Sequence, residues 1–476
     1  MRVGTRSRRL VTATLGGGVA LGLAATLAAC GSSGTPTLTW YLNPDGQETL
    51  AAIAEECSTD EYDIRTRLLP TSATDQRVQL ARRLAAEDGQ TDLMNLDPVF
   101  VPEFANAGWL LELPQDTVTD DTLEGIAETV RWDDGIYAAP LWANTQVLWY
   151  RTSLAEEAGL DMSRPVTWEQ VIDAAASVDG ATVGVQANKY EAYVVWINAL
   201  ILGAGGQVIE NPQEGRDADV TLDSRAAEEA ARVIERLAGS EAAQTDLSVS
   251  NEGTALAYMF GPDTPGQFMT NWTFVYKNYE PSDANDYTEE QFEDLAWARY
   301  PRTVPDRASA PPVGGIDVGV GAFTEHPDLA REAVACITSA EHQVELAVTD
   351  GLMPATQSAY DAPRLTDAYP PDLLELFRTS VDEGGPRPKS AFYATVSGAI
   401  QAAMALIGGV LSLALIVVLF RLAMKLDSTP FDTESFMEAN GILFGLGGGG
   451  LGLLAISWVW AAVSSFQIAT RLKTRD

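Results

Sequence analysis

Alternation of apolar and polar positions through TLTWYL, with β-branched and aromatic side chains, predicts a strand over 37–42. The following ETLAAIAEEC carries helical spacing, and DIRTRLL returns to a strand pattern. DQRVQLARRLAAEDG reads as a helix with Val78, Leu80, Ala81 and Leu84 on its apolar face and Gly89 as its stop, before a third strand in TDLMNL. Strand, helix, strand, helix, strand predicts a parallel, doubly wound sheet, and such sheets bind ligands beyond the carboxyl ends of their strands. Asp45, after the first strand, and Asp97, after the third, fall at that edge. Each also suits a turn or a helix cap.

A second α/β unit begins near YAAPLWANTQVLWYRTSL. Thr167 to Gln170 has the spacing of a capping box that starts a helix through Ala176, TVGVQAN reads as a strand, and YEAYVVWINALILGAGG as a long apolar helix stopped by glycines. Two α/β lobes joined by crossing strands leave a cleft between them, where small ligands usually bind. Near the end of the chain, 391–420 and 441–470 are each free of charge. Each run is long enough for a membrane-spanning helix, placed at about 399–420 and 442–463. Gly441, Gly445 and Gly449 give the second a smooth packing face.

The net charge of -35 comes from acidic residues scattered along the chain, so it describes a solvated surface and argues against nucleic acid as a partner. The first thirty residues change the picture more. Arg2, Arg6, Arg8 and Arg9, then an Ala/Gly/Leu run, then Leu27-Ala28-Ala29-Cys30, have the layout of an export signal ending in a lipobox. That layout predicts a leader over 1–29, lipidation at Cys30 and a flexible tether over 30–36, with the folded body outside the cytoplasm. There Cys57 and Cys336 either pair or remain as buried helix thiols. With two histidines, His326 and His342, and no cysteine at ligand spacing from either, no metal site is expected.

No phosphate-binding GxxxxGK[ST] and no GxSxG elbow occur, and no cofactor is expected. In MTNWTFVY, Trp272 is either a core tryptophan or a platform for a sugar ring, with Asn271 offering an amide to hydroxyls. Asp97 and Glu252 are the carboxylates that would hydrolyse a glycosidic bond if the chain were an enzyme, whereas a binding protein would use them as hydroxyl acceptors.

Several separated motifs then occur in order. AREAVACITSAEHQVELAVTDGLMPAT, with its Gly351-to-Pro354 turn, and ALAYMFGPDTPGQFMTNW resemble the family 1 extracellular solute-binding proteins of ABC importers. DQRVQLARRL, LDPVFVPEFANAGW, YAAPLWANTQVLWYR, VGVQAN with VVWIN, and RPKSAFY are similar to that family's trehalose-binding lipoproteins, over about 37–397. The resemblance implies a two-lobed α/β, periplasmic-binding-protein-like fold (type II) with a hinge. Residues 37–145 and about 305–355 would form one lobe, about 146–304 and 356–397 the other, and 398–470 the added membrane hairpin.

The resemblance also places sugar contacts on Asp97, Asn144, Glu252, Trp272 and Arg387, and it implies a Cys57–Cys336 disulfide. Trp142 and Ala143 before Asn144, and two extra residues between Glu252 and Trp272, depart from the family pattern. Asp45 and Asn271, with Asp97, Asn144, Glu252, Trp272 and Arg387, make up the expected ligand set. The implied function is capture of a disaccharide, trehalose, for delivery to an ABC permease with a separate ATPase, without chemistry, at the cell membrane. A membrane-anchored glycosidase and a transmembrane sugar sensor are the alternatives.

Overall fold

The structure is a computed structural model that describes residues 35–262 and 264–405. Cys30, the leader and the apolar tail beyond 405 lie outside the described residues.

The first strand, β1 (Thr37–Leu42), leads into α1 (Gln47–Glu56), β2 (Asp63–Leu68), α2 (Ala73–Ala85) and β3 (Leu93–Leu96). β1 pairs in parallel with both β2 and β3, as the alternation of elements predicts. Leu80 and Leu84 of α2 are buried. The helix stops at Ala86, and Glu87, not Gly89, takes the left-handed conformation beyond it. The expected stop at Gly89 is therefore corrected: a non-glycine residue accepts that strained geometry first.

The next strand of the main sheet, β4 (Ala139–Arg151), is long and almost wholly buried. It precedes α3 (Trp168–Ala176), which starts at the capping box of Thr167 and Gln170, then β5 (Thr182–Gly184) and α4 (Glu191–Gly203). β5 is shorter than TVGVQAN suggests. The sheet is completed, after the short α5 (Glu252–Leu256), by β6 (Gln267–Trp272), β7 (Leu295–Ala298), β8 (Pro312–Val320) and, beyond α6 (Pro327–Ile337) and α7 (Ala340–Asp350), β9 (Gly385–Pro386).

Strand order in this sheet is β2-β1-β3-β8-β4-β6-β5, with β7 also on β4 and β9 on β8. β8 runs antiparallel to β3 and to β4, so the parallel motif ends where the chain crosses over. Along β4, residues 139–145 pair with β8, whereas Gln146 onward pairs with β6 and β7. One strand thus belongs to both lobes, and its partners change between Thr145 and Gln146.

Cys57, at the end of α1, is disulfide-bonded to Cys336 of α6. The bridge spans 279 residues of sequence and ties the helix that follows Asp45 to a late element of the chain. The last described helix, α8 (Tyr393–Ala405), packs against α4 and buries Val396 and Ile400 in the core. The first residues of the expected span at 399–420 therefore belong to a helix seated on the folded body. Among the described residues, no helix is long and apolar enough to cross a membrane.

Candidate functional site

The carboxyl ends of β1 and β3 carry Asp45 and Asp97, and a relay of side chains fixes the first. Trp40 Nε1 donates to Asn95 Oδ1 (2.8 Å), Asn95 Nδ2 to Asn43 Oδ1 (2.8 Å), and Asn43 Nδ2 to Asp45 Oδ2 (2.8 Å). The core indole thereby orients an amide chain that ends at the cleft. Gly46 follows with φ +66°, and a Cβ there would lie 3.0 Å from Leu352 Cδ1. Only glycine meets both the backbone angle and the close approach that set the Asp45 turn.

From the other side come β6 and the loop before α4. Glu252 is the first residue of α5, with Asn251 as the cap, so its charge sits at a helix N-terminus. Tyr190 OH donates to Glu252 Oε2 (2.5 Å), and the Trp272 side chain also hydrogen-bonds this carboxylate. Burial raises the Glu252 pKa, and the nearby Asp45 charge adds to that shift. Asp45 is exposed at the surface, and desolvation by the surrounding protein nevertheless raises its pKa. Burial and the Glu252 charge push the Tyr190 phenol far up, so it remains a donor.

Trp272 is half-buried, unlike the core tryptophans Trp40, Trp142, Trp149 and Trp168. Its Cη2 and Cζ3 atoms would stand 3.3 and 3.4 Å from a Cβ on Gly314, with Arg387 Nη2 at 3.9 Å. Gly314 of β8 is paired with Asn144 of β4, whose Oδ1 accepts from the Thr273 hydroxyl (3.3 Å). Asn144, Trp272 and Arg387 thus meet around one glycine.

Asn271 requires a correction. Its Nδ2 donates to Glu252 O (3.1 Å), its Oδ1 accepts the Trp272 N–H (2.9 Å), and the residue is fully buried. Neighbouring strand residues face opposite ways, so when Trp272 faces the cleft Asn271 faces the interior. It holds Glu252 and Trp272 in place rather than offering an amide to ligand.

Arg387 is buried, with Nη2 and Nη1 donating to Asp97 Oδ1 (2.6 Å) and Oδ2 (3.0 Å). Nη1 also donates to Glu191 Oε1 (2.9 Å). Asp97 additionally caps the next turn by accepting from Val99 N–H (3.3 Å). Burial opposes the Arg387 charge, and Asp97, Tyr393 and Glu191 outweigh it and hold its pKa above the ordinary value. Asp317, buried in β8, has its carboxyl pushed well up by burial and by the Asp97 charge. Alongside Arg387 lies a largely apolar cavity of ≈ 290 Å³ bordered by Pro98, Val99, Leu202, Val208 and Val313. Glu128, Thr129, Asn198, Gln207 and Lys389 also line it, so polar side chains border this cavity as well.

Asp45, Asp97, Asn144, Glu252, Trp272 and Arg387 therefore converge, although Asp97 and Arg387 face each other. Tyr190, Glu191 and Gly314 join them without having been singled out in the sequence. One signal was available for Glu191: it is the sole charged residue in the apolar helix EAYVVWINALILG.

A two-lobed α/β body joined through β4, with acceptors and an indole at the junction, has the build of a binding protein for a small polar solute. Over residues 43–344, more than half of the chain, the sequence matches the bacterial extracellular solute-binding proteins, and the chain belongs to that family. It is 30% identical over 106 residues to the mannitol-binding protein of Pseudomonas aeruginosa, covering 22% of this chain and 24% of that protein. It is 21% identical over 277 residues to the diacetylchitobiose binding protein DasA of Streptomyces coelicolor, covering 56% and 61%. The chain thus spans less than two thirds of these curated relatives. In fold it is similar to maltose-bound MalE3 of T. maritima, with a TM-score of 0.70, 24% identity, and coverage of 80% of this chain and 97% of that one. The family is one of solute-binding proteins rather than enzymes, which sets the glycosidase alternative aside.

Proposed function

We propose that this chain captures a small carbohydrate outside the cytoplasm and delivers it to an ABC permease, whose separate ATPase supplies the energy. The observation that carries the reading is the Glu252 carboxylate, hydrogen-bonded by Tyr190 and by the half-buried Trp272 and near enough to Asp45 to feel its charge. Carboxylates accept hydrogen bonds from hydroxyls, and an indole face packs on the C–H groups of a sugar ring. Lobe closure around the ligand would then create the surface that the permease recognises.

Within that class we take the ligand to be an α-linked disaccharide, trehalose, on the strength of the sequence motifs. Relatives and similar folds named for maltose, diacetylchitobiose and mannitol favour the broader class of sugars and polyols. The same reading assigns the lobes to 37–145 with about 305–355 and to about 146–304 with 356–397. It anchors the protein through a lipid on Cys30 and through apolar helices beyond the folded body.

Calorimetric titration of the full-length chain in detergent with trehalose, maltose, sucrose and mannitol tests it. Saturable one-to-one binding of trehalose is expected. Selective binding of another of the four would retain the class and replace the ligand, and no binding of any by folded protein would defeat the reading.

A further inference from the structure

The sequence motifs leave Glu191 unexplained: a carboxylate wholly buried at the start of an apolar helix. Its Oε1 accepts from Arg387 Nη1 (2.9 Å) and Tyr393 OH (2.5 Å). Its Oε2 accepts from Ser397 Oγ (2.5 Å) and Gln401 Nε2 (3.5 Å). Four donors therefore meet four lone-pair positions, an arrangement that an ionised carboxylate satisfies and a side chain carrying its own N–H does not. Burial raises the Glu191 pKa, and the Arg387 charge works against that shift.

Three of the four donors come from α8, and the fourth is the guanidinium that holds Asp97. Arg387 gives both N–H groups of Nη1 to carboxylates, one to each, and one of Nη2 to Asp97. Nη2, with one N–H left, lies on the side of Gly314 where the Trp272 edge also packs. The contacts form a continuous series from α8 through Glu191 and Arg387 to Asp97, and Arg387 Nη2 and the Trp272 edge both lie over Gly314. Since a planar guanidinium bound at two edges cannot rotate without breaking charged hydrogen bonds, the carboxylate on one edge fixes what the other presents.

We propose that Glu191, fixed by Tyr393 and Ser397 of α8, is a positioning residue for ligand binding: it sets the orientation of Arg387 and, through it, of Asp97 and the Trp272 edge. This rests on the carbohydrate-binding reading for its affinity test, but its geometry can be followed without ligand.

The test uses the full-length chain in detergent and the variants Glu191→Gln, Tyr393→Phe and Ser397→Ala. Trehalose and maltose titrations read affinity. The ¹⁹F resonance of Trp272 in 5-fluorotryptophan-labelled, sugar-free protein, assigned through Trp272→Phe, reads the site directly. Leu80→Ala, in the buried face of α2, supplies a variant that loses stability far from the site.

Glu191→Gln is expected to weaken binding by about tenfold, the scale of losing one charged hydrogen bond at a buried site. Tyr393→Phe and Ser397→Ala are expected to weaken it severalfold, and all three to shift the Trp272 resonance while Leu80→Ala shifts neither readout. Should Glu191→Gln fail to fold, the two hydroxyl variants, which keep the ion pair, decide. Wild-type affinity and an unmoved resonance in those variants would overturn the proposal, as would equal shifts in Leu80→Ala. If the wild type binds neither sugar, the resonance alone decides the positioning role.

Discussion

Two groups of carboxylates meet in this cleft and they are built in opposite ways. Asp97 and Glu191 share one buried guanidinium, and Glu191 has every acceptor position filled by the protein. Asp45 and Glu252 approach from opposite sides with no cation between them in the contacts that the structure describes; Asn43, Tyr190 and Trp272 supply neutral donors. A group whose hydrogen bonds are closed within the protein serves architecture, because a ligand would have to break them. A carboxylate held by two or three neutral donors, as Asp45 and Glu252 are, retains acceptor capacity and gains from a hydroxyl-rich ligand. Under the proposed function, this difference predicts positioning for the Arg387 network and recognition for the Glu252 side.

The largest effect should come from breaking the closed group. Arg387→Met keeps much of the side-chain volume but leaves Asp97 and Glu191 as buried carboxylates without their cation. Loss of one partner from such a group costs about 3–5 kcal/mol. Urea unfolding should show that loss, and a change below about 1 kcal/mol, the range of a surface pair, would mean that the network is dispensable to the fold.

The open group should respond in affinity instead. Trp272→Ala removes the aromatic wall and is expected to cost binding about 2 kcal/mol, or roughly 30-fold in affinity. Its effect on stability should be about 1 kcal/mol, since the indole is only half-buried. A finer probe is Gly314→Ala, whose Cβ would stand 3.3 Å from Trp272 Cη2 and force the ring to give way. Severalfold weaker binding with nearly unchanged stability is expected by titration and urea unfolding together. Equal losses in both quantities would erase the contrast between the groups.

Much of this arrangement is legible in the sequence because strand ends are legible. TLTWYL and TDLMNL define where Asp45 and Asp97 must emerge, and the strand ending in Asn271-Trp272 brings the indole to the same edge. Asn271 shows the limit: pattern places a pair of residues, but the two-residue period sends them to opposite faces, and only the pairing of β6 with β4 decides which faces the cleft. Glu191 was hidden for another reason. An acid in the first turn of a helix is explained locally by the helix dipole, while its real partners lie about 200 residues away in Arg387, Tyr393 and Ser397. Likewise, the parallel start of the sheet follows from local alternation, but the antiparallel crossing of β8 is a long-range choice. The disulfide is long-range too, and the bare residues left pairing and free thiols equally open.

The smallest expected effect concerns protonation of the open group. Burial, reinforced by Asp45, raises the Glu252 pKa in the folded chain above its unfolded value near 4.5. The folded state therefore binds this proton more tightly than the unfolded state. The resulting stabilisation is fully present below pH 4.5 and is lost as pH rises through the raised folded value. Glu252→Gln has no such proton to lose. Its stability minus that of the wild type should be flat at acid pH, climb as pH passes through the folded pKa, and level off above it. Urea unfolding of both proteins at stepped pH, without sugar, reads this difference. A constant difference would show that Glu252 sits in a solvated setting, and the contrast with the closed Arg387 group would then rest on hydrogen bonding alone.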